Sequence, residues 1–491
     1  MAIEVGVSLL LFGVFLCFRD LPLVDLPQHA LQITNWLRLD GPSPPPELEL
    51  NLRTPYLLAY PLARALAPLV GPVVALKLVI WASIAGQFAT FHGLCARLRH
   101  DPYLSLLGIP LALGYGFLFG FVSFVAAMPL LYLSLIAALN HGEAPTWKRG
   151  VALASVLSLT LVAHGVAFAL ACVAVPPLLL RRDSRIASFA PLLAPVALYA
   201  IWIVPGSSAK RIGGDHWDLG WSRLHELPGL LVGIGGSDPA ATLGGVALLA
   251  LALLGVGPLH PNPSRILPLA LALVGYVFFP SLFRGVGPLG PRFAVLIVPS
   301  LLLATLPRAS PPPCAHAPAA RRSVHHATLV AFVLGWCLLF SVRLASFNRE
   351  TQSFHALVER LPENLRVRPL VFDRTSPAFP GVPTLIHFPA YYTVEKGGAQ
   401  GYSFAMYPLS VVRYRPHIVP TMGGGAEWRP ETFDAASEIE HYDYYLVKST
   451  FDRGKSLFER FEGRVVLDAH VGDWWGYRST LSGDGAVARS P

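Results

Sequence analysis

The apolar residues of this 491-residue chain gather into runs nearly free of charge, at about 3–18, 71–94, 103–139, 151–180, 186–204, 240–259, 266–283, 293–307 and 327–342. A bilayer-spanning helix takes roughly 20 apolar residues, so these runs predict membrane helices. The 103–139 run is too long for one helix, and the glycines of "GYGFLFGFVSF" in its middle suit a tight turn, so it reads as two. The 151–180 run is either one tilted helix of roughly 45 Å or a pair broken at Ala163-His164-Gly165. Charge separates the two readings. With the break, "RRDSR" (181–185) falls on the same side as "ARLRH" (96–100), "WKR" (147–149) and "RR" (321–322). That side then holds 11 Lys/Arg and 3 Asp/Glu in short loops, and the other side holds 9 of each in longer ones. The basic side is cytoplasmic by the positive-inside rule. The pattern thus predicts about eleven transmembrane helices, with a cytoplasmic N-terminus and an extracytoplasmic C-terminal part.

Three outer loops follow from this topology, at 19–70, 205–239 and 284–292. The first opens with "FRDLPLVDLPQHALQITNWLRLDG". Its "LPQHALQITNWLRL" has apolar residues at helical spacing and suits an amphipathic helix in the interface, ended by "GPSPPPELEL". Beyond residue 343 the pattern changes. "ASFNRETQSFHALVERLP" continues the last helix, "RVRPLVFD", "HYDYYLVKS" and "GRVVLDA" read as strands, and "RGKSLFERFEG" reads as a short helix. The expected fold is therefore mostly α, a polytopic membrane domain over 1–343 followed by an extracytoplasmic α/β domain over 344–491. No internal repeat is visible, and the one biased tract is the Pro/Ala/Arg-rich loop at 307–326.

Composition agrees with the pattern. Charged residues make up 14% of the chain and hydrophobic ones 53%, against about 25% charged in a soluble domain. The net charge of +8 is uneven: residues 1–343 carry 22 Lys/Arg and 13 Asp/Glu, and the rest carry 16 and 17. Cytoplasmic loops and anionic membrane lipids account for the basic excess. No basic stripe with interleaved aromatics is present, which argues against a nucleic-acid partner. The five cysteines show neither metal-ligand spacing nor a disulfide framework. The N-terminal "MAIEVGVSLLLFGVFLCF" lacks a basic leader and a small-residue cleavage site, so it reads as a retained anchor. The place this implies is a multi-pass protein of the cell's inner (plasma) membrane.

Candidate chemistry gathers in the outer loops. Asp20 and Asp25 read either as the acidic start of a helix, Asp25 before Pro27 suiting an N-cap, or as carboxylates at a cavity rim, where burial tunes a general base. His29 lies four residues after Asp25, on the same helical face. As a metal site the pair lacks a local third ligand, so a divalent cofactor stays open. Lys77 sits near the outer end of the second span, where it either snorkels or meets an anion. Arg284 and Arg292 flank the Gly/Pro-rich "FRGVGPLGPRF", suited either to an interface anchor or to phosphate oxygens. His164 falls at an outer hairpin turn, as a hydrogen-bonded structural residue or as a ligand. "SSAKRIGGDHWDLGW" adds Lys210, Arg211, Asp215, His216 and Asp218 beside Trp217 and Trp221, whose simplest role is an aromatic belt. In the C-terminal part, "LIHFPAYYTVEKGGAQGYSF" and "VGDWWGYRS" offer aromatics either for a sugar or acyl surface or, more simply, for a domain core. Nucleophile elbow, P-loop, HExxH and paired CxxC patterns are absent.

Taken together, the acidic opening of the first outer loop (Arg19-Asp20 to Asp25-Leu-Pro-Gln-His29), the helix after it, the many short spans and the terminal α/β domain resemble the GT-C superfamily of membrane glycosyltransferases. "GFLFGFVSF" (116–124) and "RGVGPLGPRF" (284–293) also resemble segments of bacterial members. The resemblance implies a polyprenyl-phosphate-linked sugar donor and a lipid or glycan acceptor on the outer face. It also implies Asp25, or failing it Asp20, as the base for inverting displacement at the anomeric carbon. His29, Lys77, His164, Arg284 and Arg292 would then bind substrate. Many relatives carry adjacent acidic residues, whereas Asp20 and Asp25 are five apart, so the choice between them stays open. Two other classes compete. A transporter or lipid flippase favours charges at the bilayer midplane and repeat symmetry, neither of which this sequence has. A non-catalytic assembly protein would use the C-terminal domain to bind a partner.

Overall fold

The computed structural model describes residues 2–180, 186–203, 217, 220–233, 238–282, 287–308, 316–415 and 427–480. Among these, four helices are long and apolar enough to cross a membrane: Pro72–Arg97, Val122–Glu143, Ile186–Ile203 and Ser323–Arg360. Shorter apolar helices include Ala2–Cys17, Gly165–Leu179, Pro239–Gly255 and Pro263–Phe278. The first of these shows the membrane pattern. Glu4, Val7, Ser8, Leu11 and Phe15 are buried at helical spacing, while Val5, Leu9, Leu10 and Leu16 stand exposed on the other side. A helix apolar on its outward face as well suits lipid and not water. The chain is a multi-pass membrane protein and is mostly helical.

Both expected helix breaks are present, each with a local cause. Helix Trp147–Ala163 ends and Gly165–Leu179 begins around His164, whose backbone is extended (φ −165°, ψ 122°). The imidazole takes over the capping: its Nδ1 accepts the amides of Val166 (3.1 Å) and Ala167 (3.4 Å), which otherwise lack helical partners. In the 103–139 run, short helical turns end at Gly120, and Val122–Glu143 follows. Gly120 has φ +75°, a conformation glycine adopts without strain. Its amide and that of Phe121 bond back to the carbonyls of Phe117 and Gly116, closing the turn.

Internal contacts divide the chain into two compact units. One comprises residues 1–17, 52–63 and 77–342, and the other 18–51, 64–76 and 343–491. The first holds most of the apolar helices. The second is built on a five-stranded sheet, ordered Ala399–Gln400, Arg366–Val371, Tyr444–Lys448, Trp474–Ser479 and Val465–Val471. The first three strands run parallel and the last two form an antiparallel hairpin against them. All five residues of Tyr444–Lys448 are buried, as a central parallel strand requires. Leu370, Tyr445, Val447, Phe458 and Tyr477 fill one face with Ile439 and Val465. The three strands, the helix at Gly454–Phe458 and the uninterrupted helix His316–Arg360 all match the sequence reading. Tyr391, Tyr392 and Trp474 are buried, so these aromatics serve the core.

The first part of the first loop, residues 18–51, belongs to this second unit. Helix Leu26–Leu39 forms where the spacing predicts it, but it is buried on its polar side as well as its apolar one. Gln28 accepts the Phe404 amide and donates to the Tyr402 carbonyl, and Gln32 accepts the Val412 amide at 2.9 Å. The helix is therefore seated by glutamines on the 402–412 segment instead of lying free at an interface. Within "GPSPPPELEL", Leu48–Leu50 pairs antiparallel with Val412–Tyr414, so the stretch that ends the helix also builds a strand.

Candidate functional site

The two acidic residues of the first loop have contrasting surroundings. In "RDLPLVDLP" the proline after Leu21 keeps that residue out of helical backbone, Val24 and Asp25 turn into the helix, and Leu21, Leu23 and Val24 are buried. Asp20 is gripped at every polar atom. Its amide donates to Asn348 Oδ1 (2.9 Å), its carbonyl accepts from Asn348 Nδ2 (2.7 Å), and its carboxylate oxygens lie 2.9 and 3.2 Å from His355 Nε2. Asn348 and His355 are seven residues apart on one helix, hence on one face. Glu395 lies behind His355 at 3.7 Å and also pairs with Arg19. Burial, reinforced by the Asp20 and Glu395 carboxylates, pushes the Tyr391 hydroxyl well above the usual tyrosine range.

Asp25 stands at the helix N-cap, yet its side chain makes no capping bond. Its Oδ1 instead lies 3.5 Å from His387 Nε2, and His387 Nδ1 lies 2.6 Å from Glu427 Oε1. The Asp25 side chain is 14% exposed, against 3% for Asp20. Burial raises the Glu427 carboxyl above the ordinary glutamate value, with partial relief from His387 and from the charge of Arg368. Tyr402 stacks flat on the His387 ring at 5.3 Å and 3°. His29 is buried one turn after Asp25 and meets Phe404 edge-on at 5.4 Å.

The predicted cations lie in the helical unit. Lys77 is buried near the start of Pro72–Arg97. Arg292 is 5% exposed and donates to the carbonyls of Pro288 (3.1 Å) and Gly287 (2.9 Å). Its guanidinium lies 4.1 Å from the Phe121 ring centre, inside the "GFLFGFVSF" segment. Arg292 Nη1 also stands 3.4 Å from His164 Nε2. Because His164 Nδ1 already accepts two amides, the neutral ring carries its proton on Nε2. Two donors therefore face each other, beside the rings of Tyr56 and Phe124. Donors placed this way suit a phosphate oxygen, to which both can make charge-assisted bonds. Arg284, Lys210, Arg211, Asp215, His216 and Asp218 lie outside the described residues.

The partners of the acidic pair were not visible as a set in the sequence. His355, His387 and Glu427 lie hundreds of residues from Asp20 and Asp25. The one local signal is His387 itself, a lone imidazole inside the apolar "LIHFPAYY". Among the described residues no group of three or more His, Cys, Asp or Glu side chains could hold a metal ion.

No protein-family model and no curated protein sequence matches the chain. Solved structures do. The chain is similar to ArnT from Cupriavidus metallidurans bound to undecaprenyl phosphate, at TM-score 0.53 and 12% identity, over 98% of both chains. It is similar to the apo form of the same protein at TM-score 0.55 and 11% identity, again over 98% of both. Overlap of that extent at such low identity is a likeness of fold: the chain shares the fold of ArnT over nearly its whole length.

Proposed function

We propose that this chain is a membrane glycosyltransferase that moves a sugar from a polyprenyl-phosphate-linked donor to a lipid or glycan acceptor on the outer face of the membrane, with inversion. The single observation that carries the reading is the state of Asp25, a partly exposed carboxylate at a helix start that is not spent on capping. A general base must come within hydrogen-bond reach of the proton it takes. Asp20 is sealed and bonded on both sides, so Asp25 is the better candidate of the two. The departing phosphate needs cations, and Arg292 with His164 supplies converging donors for it, with Lys77 as a further buried charge. The fold shared with a protein that binds undecaprenyl phosphate supports the donor class.

The test is transfer of label from a panel of undecaprenyl-phosphate-linked pentoses and hexoses, radiolabelled in the sugar, in membranes with and without the chain. Chain-dependent cleavage of the sugar–phosphate bond, with label passing to an acceptor, is the expected result. Chain-dependent movement of intact donor across the bilayer without cleavage would replace the enzyme by a flippase.

A further inference from the structure

His387 is an imidazole sealed between carboxylates from two distant segments. Its side chain is 1% exposed and that of Glu427 3%. Tyr402 covers its face, while Phe404 and Trp428 meet its edge at 5.8 and 5.9 Å, so the ring is fixed in orientation. The charged and titratable groups around it are Asp25 and Glu427 directly, then Tyr402 and Tyr407, and Arg368 acting on Glu427. The two tyrosine hydroxyls bond each other at 2.8 Å, and burial raises both above the usual tyrosine range. The contacts of the ring are unequal, tight to Glu427 at 2.6 Å and loose to Asp25 at 3.5 Å. His355 is arranged the other way round, with its tight contact on the sealed Asp20 (2.9 Å) and its loose one on Glu395 (3.7 Å).

We infer that His387 and Glu427 form a relay that receives the proton Asp25 takes from the acceptor. This rests on Asp25 being the base. The tight contact holds the resting ring proton on Nδ1 and turns the Nε2 lone pair toward Asp25, the logic by which a buried carboxylate orients a histidine. In the reaction the acceptor O–H bond breaks as its oxygen bonds to the anomeric carbon. The bond from that carbon to the donor phosphate oxygen breaks, and its electron pair leaves with the phosphate. The proton passes to the Asp25 carboxylate and then to His387 Nε2, where the Glu427 carboxylate stabilises the imidazolium. Asp25 is thereby restored, and the proton leaves to solvent through it after product release. His387 is a positioning and proton-holding residue and need not touch substrate.

Two measurements on the full-length chain test this. Nitrogen NMR of histidine-labelled protein, with His387→Gln (or His387→Asn if the first does not fold) to identify the signal, reads the tautomer. The relay predicts a neutral ring protonated on Nδ1 near neutral pH, and loss of that preference in Glu427→Gln. A ring protonated on Nε2, or a tautomer unchanged in Glu427→Gln, overturns it. The second measurement is the pH dependence of label transfer from the undecaprenyl-phosphate sugar. In Glu427→Gln the plateau should fall roughly 10²-fold, at the low end for acid–base effects. The acid limb should move to lower pH, because no buried carboxylate then holds the blocking proton. An unmoved limb, with Asp25→Asn inactive in the same assay, sinks the relay and leaves the base. Activity in Asp25→Asn sinks the base itself.

Discussion

Two carboxylate–histidine pairs sit in the same compact unit, five residues apart in sequence at their acidic ends, and they are built to opposite designs. At Asp20 the backbone is bracketed by Asn348 and the carboxylate is held by His355 at 2.9 and 3.2 Å. At Asp25 the imidazole is loose, the capping bond is absent and part of the side chain is exposed. The difference teaches that burial beside a histidine does not by itself mark chemistry. What separates the two is access: the Asp25 side chain is 14% exposed and that of Asp20 3%. Asp20 has spent its capacity on joining the first loop to the long helix His316–Arg360.

The comparison breaks most readily at Asp20. Removing one partner of a buried, hydrogen-bonded pair typically costs about 3–5 kcal/mol, so Asp20→Ala should fold poorly or unfold at clearly lower temperature. Unfolding indistinguishable from wild type would mean that the clamp contributes little and that Asp20 is held for chemistry. A smaller effect, of a different kind, is expected at Arg292. It is buried like Asp20 but faces a second donor, so Arg292→Ala should chiefly weaken binding of the undecaprenyl-phosphate sugar, by about 1.5–3 kcal/mol for a lost charge-assisted contact. Binding of acceptor should change less, because only the donor carries the phosphate. Unchanged donor affinity in folded protein would return Arg292 to an interface anchor. Least affected should be the stability of Asp25→Ala, whose side chain is part exposed and makes no capping bond: its unfolding temperature should fall less than that of Asp20→Ala.

Much of this architecture could be read from periodicity. The helix at Leu26–Leu39, the break at His164 and the strands at Arg366–Val371, Tyr444–Lys448 and Val465–Val471 all follow from local patterns. Such patterns report what one segment buries, and each of these segments buries a regular face. They do not report which distant segment covers it. Gln28 and Gln32 look like the wet side of an interfacial helix until their partners at 402–412 are known. "ELEL" after a proline run looks like the end of a helix until Val412–Tyr414 pairs with it. The acidic motif was legible for the same reason that its meaning was not. Two aspartates stand out in an apolar chain, but what separates them is supplied by His355, His387 and Glu427, from segments that pair with the loop only in the folded protein.

The most direct test of that separation is Asp25→Asn in the label-transfer assay, with unfolding and donor binding measured on the same preparation. Asparagine keeps the size and caps a helix as well as aspartate, but it cannot take a proton at working pH. Transfer should fall by at least roughly 10²–10⁴-fold, the range for loss of a general base, with stability and donor affinity close to wild type. Near wild-type transfer by folded Asp25→Asn would contradict the account and remove Asp25 from the chemistry.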